Sequence, residues 1–140
     1  MDFDGLLRQQ IYTHTTERGK PPAIAELSDA TSAPQDRVRE SLARLAAGRI
    51  LVLQRESGEI LMAPPFSAVP TPYLVHADGR RWHANCAWDA FGVCVVLGGD
   101  GRIEYRDIVV EVRGCRPDDE SLVFQCLVPA AHWWDDIVYT

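Results

Sequence analysis

Phe3, Leu6, Leu7, Gln10, Ile11 and His14 recur at roughly helical spacing, and Gly19-Lys20-Pro21-Pro22 ends the run. The pattern predicts a helix over residues 3 to 17. Residues 23–30 present Ile24 and Leu27 and predict a second, short helix, closed by a turn at Thr31-Ser32-Ala33-Pro34. Val38, Leu42, Leu45 and Ala46 then form an i, i+4, i+7, i+8 stripe ending at Gly48, with Asp36, Arg37, Arg39, Glu40 and Arg44 opposite. Pro34 at the first helical position and Ser32 as a nearby cap complete the expected third helix. Ile50-Leu51-Val52-Leu53 and Ile60-Leu61-Met62 flank a polar stretch containing Ser57-Gly58, which reads as a hairpin. Three helices followed by a hairpin is the order of a winged helix-turn-helix, here residues 1–63.

Residues 63–72 hold four prolines, which exclude a helix and make a poor central strand. Residues 64–72 are therefore expected to be an extended connector into a second unit, residues 73–140. That unit reads as strand Tyr73–His76, an Asp78-Gly79 turn, strand Arg80–His83, and a helix from Asn85 to Leu97 stopped by Gly98-Gly99. Strands Ile108–Arg113 and Leu122–Val128 are expected next, joined by a polar loop from Gly114 to Ser121, with a last helix from Pro129. The expected fold class is α+β: a winged-helix-like three-helix unit with a hairpin, then a small, mainly antiparallel sheet with helices.

Composition narrows the function classes. At 140 residues, 46% hydrophobic and 24% charged, the chain is an ordinary globular one. Residues 1–62 carry 8 Lys/Arg against 9 Asp/Glu, and residues 63–140 carry 6 against 11, giving net charges of −1 and −5. Neither half has the basic excess that phosphate neutralisation needs, so nucleic acid is not expected as a partner. The acidic start Met1-Asp2-Phe3-Asp4 is no secretory signal and no run is apolar enough to span a bilayer, so a cytoplasmic protein without a membrane partner is expected. In that compartment Cys86, Cys94, Cys115 and Cys126 stay thiols, and the lack of any C-x-x-C argues against structural zinc.

The chemistry concentrates in R-W-H-A-N-C-A-W-D-A-F-G, residues 81–92, where Cys86 and Asp89 sit three apart in an apolar run. On a helix such residues are surface neighbours. With Asn85 as N-cap, Cys86 falls in the first turn, where free N–H groups and the helix dipole favour thiolate. Two acidic groups this close resist double ionisation, so the pair is expected to hold one shared proton. Cys94, about 12 Å along the same helix, reads as core. Alternation in Leu122-Val123-Phe124-Gln125-Cys126 places Cys126 on one face with Leu122, Phe124 and Val128, a face that can bring a second thiol to Cys86. Cys115, at a strand end, is the other candidate for that thiol. His83 reads as a surface histidine and Trp133-Trp134 as packing.

Arg80-Arg81-Trp82-His83-Ala84-Asn85-Cys86-Ala87-Trp88-Asp89-Ala90-Phe91-Gly92 resembles the active-site segment of the alkylmercury lyase (organomercurial lyase) family, whose pattern is a strand running into A-x-C-A-x-D. The connector A-P-P-F-S-A-V-P-T-P-Y-L-V and the ending V-P-A-A-H-W-W-D-D-I-V-Y-T are similar to stretches of short bacterial homologues, so the resemblance spans roughly residues 20 to 140. It implies protonolysis of a carbon–mercury bond, with Cys86 binding mercury, Asp89 carrying the proton, and a second cysteine, Cys126 or Cys115, sharing the metal. No cofactor is implied. Hg(II) is the bound product, a small organomercurial the substrate, and external thiols remove the metal. The family's best-known members supply the second cysteine from a later strand followed by a longer C-terminal region, a position with which Cys126 does not align cleanly, and more chain is expected where this one stops at Thr140. Two other classes compete: a non-enzymatic thiol protein binding Hg or Cu, and a winged-helix transcriptional regulator reading DNA with residues 34–47.

Overall fold

The computed structural model describes residues 1–138; Tyr139 and Thr140, the end of the family-like C-terminal stretch, lie outside the described residues. Helices α1 (Phe3–Arg18), α2 (Ile24–Thr31) and α3 (Gln35–Ala47) follow the predicted periodicity. Asp2 caps α1 by accepting the Gly5 N–H at 2.8 Å, and Gly19 closes it in the left-handed region, where glycine carries no Cβ penalty. Between α2 and α3 the capping differs from expectation. Ser32 terminates α2 at φ 52 and does not cap α3, whose N-cap is Pro34. A proline N-cap with no side-chain acceptor leaves the first α3 amides to other partners.

The hairpin strands are β1 (Val52–Leu53) and β2 (Ile60–Ala63), with Gly58 at φ +71 in the turn. The expected connector adds a two-residue strand of its own, β3 (Phe66–Ser67), at the edge of an antiparallel sheet ordered β1-β2-β3. Glu59 accepts the Ile24 N–H at 2.9 Å and Arg39 donates to Ser57 O at 2.9 Å, which binds the hairpin to the helices. Leu7, Ile11, Ile24, Leu27, Val38 and Leu42 form the buried core of this part.

The second part is a five-stranded antiparallel sheet ordered β5-β4-β6-β7-β8, with one helix, α4 (Ala87–Val96), across it. β4 (Tyr73–Ala77), β5 (Arg80–His83) and β7 (Ile108–Arg113) lie where alternation placed them. The central strand β6 (Gly101–Tyr105) was not expected; its only deeply buried large side chain is Ile103, too little alternation to register against flanking glycines and charges. Trp82, Val75, Ile103 and Val110 stand opposite one another across four strands and are all buried in the same core as Ala90, Val93 and Cys94 of α4. The alternate positions are polar: Glu104 lies 3.2 Å from His76 of β4 and Arg102 lies 3.7 Å from Glu111 of β7 across the strands, and Arg102 also meets Glu104 along β6 at 3.4 Å.

Three expectations fail in the last third. Gly114-Cys115 forms a two-residue turn with φ 54 and 62 into β8 (Arg116–Pro117), where a long polar loop was predicted. Both central residues at positive φ is the geometry of a type I′ hairpin. Residues 122–128 form no strand; they run as an irregular, largely exposed segment, with Val123 89% and Leu127 84% exposed. The predicted last helix is a 3-10 turn, Ala130–Asp135. Among the described residues no helix is long and apolar enough to cross a membrane.

The two cores meet at α1. Tyr12 packs against both and donates to Pro64 O at 3.0 Å, and Trp82 donates Nε1–H to the Thr15 carbonyl at 2.7 Å. These contacts bring the connector against the start of α4.

Candidate functional site

Past the end of β5, Ala84 keeps the register of the β4 pairing by donating to Tyr73 O at 2.9 Å, while it also accepts from Thr71 Oγ1 at 2.6 Å and bridges to Phe66 of β3. Asn85 and Cys86 make the corner into α4. Cys86, not Asn85, is the N-cap, at φ −153 and ψ −179, and its sulfur accepts the Asp89 N–H at 3.4 Å. Asn85 instead donates Nδ2–H to Asp89 Oδ2 at 2.9 Å. One helical turn thus ties thiol, acid and amide together.

These three groups face a cavity of about 460 Å³. Tyr73, Met62 and Pro64 wall one side; Phe124, Cys126, Trp133, Trp134, Ile137 and Val138 close the other. The alternation that placed Phe124 and Cys126 together was informative even without a strand, since both reach the cavity. Cys126 is exposed and donates its thiol to Val128 O at 2.9 Å, the same carbonyl that accepts Trp133 Nε1–H at 2.8 Å. Cys86 and Cys126 line one cavity; Cys115 does not.

Cys115 sits at the other end of α4, where its N–H donates to Gly99 O at 2.7 Å. A helix of this length puts about 15 Å between its ends. Cys94 is fully buried in the core, as expected. His83 does not line the thiol's cavity; it lines a basic groove with Arg18, Lys20 and Arg81, its Nδ1 lying 3.1 Å from both the N–H and the carbonyl oxygen of Thr71. Tyr73, stacked on Tyr105 with centroids 4.6 Å apart, was not singled out from the sequence, and Asn85 was read there only as the helix N-cap and not as a partner of Asp89. The four-residue spacing of Asn85 and Asp89 was the available signal for that contact.

The electrostatics differ from a helix-start thiolate. Burial pushes the Cys86 thiol up, and the Asp89 carboxylate and Cys126 add to that; the Asp89 and Trp88 amides oppose it without winning. Desolvation outweighs the amide contacts because the sulfur stands beside an acid in a largely apolar pocket. Burial likewise raises the Asp89 carboxyl, against the hydrogen bond from Asn85. Both groups are biased toward keeping a proton.

The curated proteins contain no match to this chain. Among solved structures it is similar to the mercury-bound form of MerB2, with a TM-score of 0.64 and 22% identity, over 85% of this chain and 60% of that one. That likeness is one of fold, and the chain spans about 60% of the length of that relative. The alkylmercury lyase (MerB) pattern matches residues 66–138, over half of the chain and every residue of the cavity wall except Met62 and Pro64. On that match the chain belongs to the alkylmercury lyase family.

Proposed function

We propose that this protein cleaves carbon–mercury bonds by protonolysis, releasing a hydrocarbon and retaining Hg(II) on sulfur. The observation that carries the reading is the convergence of Cys86, Asp89 and Cys126 on one cavity whose remaining wall is mostly aromatic and aliphatic. Thiolate is the ligand type that selects soft ions. Organomercurial R–Hg–X meets the Cys86 thiol; sulfur bonds to mercury, X leaves, and the thiol proton passes to Asp89. Cys126 adds as a second sulfur and gives up its own proton with X. Electron density at the mercury-bound carbon rises, Asp89 delivers its proton there, and the carbon–mercury bond breaks. The sum is R–Hg–X plus two thiols giving R–H, HX and a bis-thiolate Hg(II), which external thiols then exchange away.

The raised carboxyl suits this role, since burial makes Asp89 a better acceptor for the Cys86 proton than an exposed carboxylate before it passes that proton to carbon. The organic group has an apolar seat against Tyr73, Trp88 and Phe124. Phenylmercury incubated with the protein is expected to release benzene at a rate above the Cys86→Ser control. Asp89→Asn is expected to take up mercury yet release none, whereas a purely metal-binding protein would be indifferent to that substitution. Benzene at the control level would end the lyase reading.

A further inference from the structure

Asn85 has a hydrogen-bond pattern that helix entry alone does not require. Its Nδ2 lies 2.9 Å from Asp89 Oδ2 and 3.4 Å from the Phe66 carbonyl, so both amide hydrogens point at acceptors. That fixes which way the amide is turned, because the flipped form would set Oδ1 against two oxygens. Oδ1 itself is buried and, among the described residues, without a partner. A buried carbonyl left without a partner is a desolvation cost that most folded proteins avoid.

Phe66 is fully buried, paired with Ala63 and bridged to Ala84, so the amide spans from a fixed backbone to the acid. We propose that Asn85 positions Asp89: it holds Oδ2 against its amide, anchors it to the Phe66 carbonyl, and leaves the second carboxyl oxygen as the one that approaches the carbon–mercury bond. The assignment rests on the lyase reading above. A carboxyl on two rotatable bonds samples several directions, and restricting it to one matters in the proton-transfer step more than in substrate capture. The effect belongs in kcat.

Asn85→Ala is expected to lower kcat for benzene release from phenylmercury by about 10–100-fold, with KM within about twofold and one mercury still bound per Cys86. Asn85→Ser, taken through the same assay, covers the case in which Asn85→Ala does not fold. An unchanged kcat, or a loss carried wholly by KM, would overturn the assignment. The contact is also read without turnover. The Asn85 side-chain amide resonances are expected to shift in Asp89→Ala, and their failure to move would overturn the clamp. A wild type that released no benzene would count against the lyase reading, leaving the clamp to stand or fall on those resonances.

Discussion

The backbone N–H of Asp89 donates to the sulfur of Cys86 at 3.4 Å, while the carboxyl of the same residue turns to Asn85. Thiol and acid are therefore held by separable parts of one residue. Changing the Asp89 side chain leaves the amide on sulfur but removes the charge that helps keep the thiol protonated. Site-resolved alkylation by iodoacetamide should show Cys86 reacting with a midpoint above that of an ordinary cysteine, because burial raises it. In Asp89→Asn the midpoint should fall and the rate at neutral pH rise, since the thiolate is the nucleophile. A slower Cys86 in that variant would contradict this electrostatic account.

Cys126 and Cys115 are both exposed, but only Cys126 lines the cavity. Cys126→Ser is expected to reduce hydrocarbon turnover by at least tenfold, leaving single-thiol capture at Cys86, while Cys115→Ser leaves turnover unchanged. Both should melt within about 0.5 kcal/mol of wild type, as exposed substitutions do. Mercury stoichiometry in the presence of a competing monothiol separates them. Equal losses in the two variants would remove Cys126 from its proposed role.

The parts legible in sequence were those where pattern and burial coincide. Val38, Leu42 and Leu45 show the α3 stripe directly, and all three are buried. Cys86 and Asp89 stood out as candidates because a polar pair interrupts an apolar run, and a family resemblance sharpened that reading; the fold places both on one cavity. What escaped depended on tertiary context. Strand β6 offers one deeply buried large residue, Ile103, and is fixed by pairing on both sides with β4 and β7. Residues 122–128 alternate like a strand but find no strand partner, so the alternation survives only as the side on which Phe124 and Cys126 face the cavity. The Cys86 thiol was misjudged because helix-end amides are visible in sequence and desolvation is not.

Gly101 opens β6 beneath α4, where a Cβ would lie 2.7 Å from the Cys94 sulfur and 3.4 Å from the His76 carbonyl. Cys94 is fully buried, so neither atom can retreat into solvent. Gly101→Ala is expected to destabilise by about 1–3 kcal/mol through overpacking. Most of that cost should vanish in a Cys94→Ala background, where the clashing atom is gone. Denaturant melts of the four proteins give the coupling directly. Additive losses would show that Cys94 is not what the glycine makes room for.

Asp4 links the first turn of α1 to α3. It accepts from Arg44 Nε at 2.8 Å and Nη2 at 2.7 Å and from Ser41 Oγ at 2.6 Å. The Arg44 and Ser41 hydrogen bonds hold its carboxyl down from 3.8 to about 2. A depressed carboxyl contributes stability that is fully present above its unfolded value and is lost as pH falls through its folded one. With the Asp4 side chain 26% exposed and Arg44 56%, solvent screens much of the pair, and the stabilisation belongs at the modest end. Asp4→Asn should lower the melting midpoint by on the order of 2 °C near neutral pH. The gap between wild type and variant should hold down to the ordinary carboxylate value of 3.8, then close as pH approaches about 2 and the wild-type Asp4 takes up its proton. Ser41→Ala, which removes one of the three bonds, should show a smaller gap closing from the same side. A gap that widened on acidification would mean that Asp4 is not the group holding these helices together.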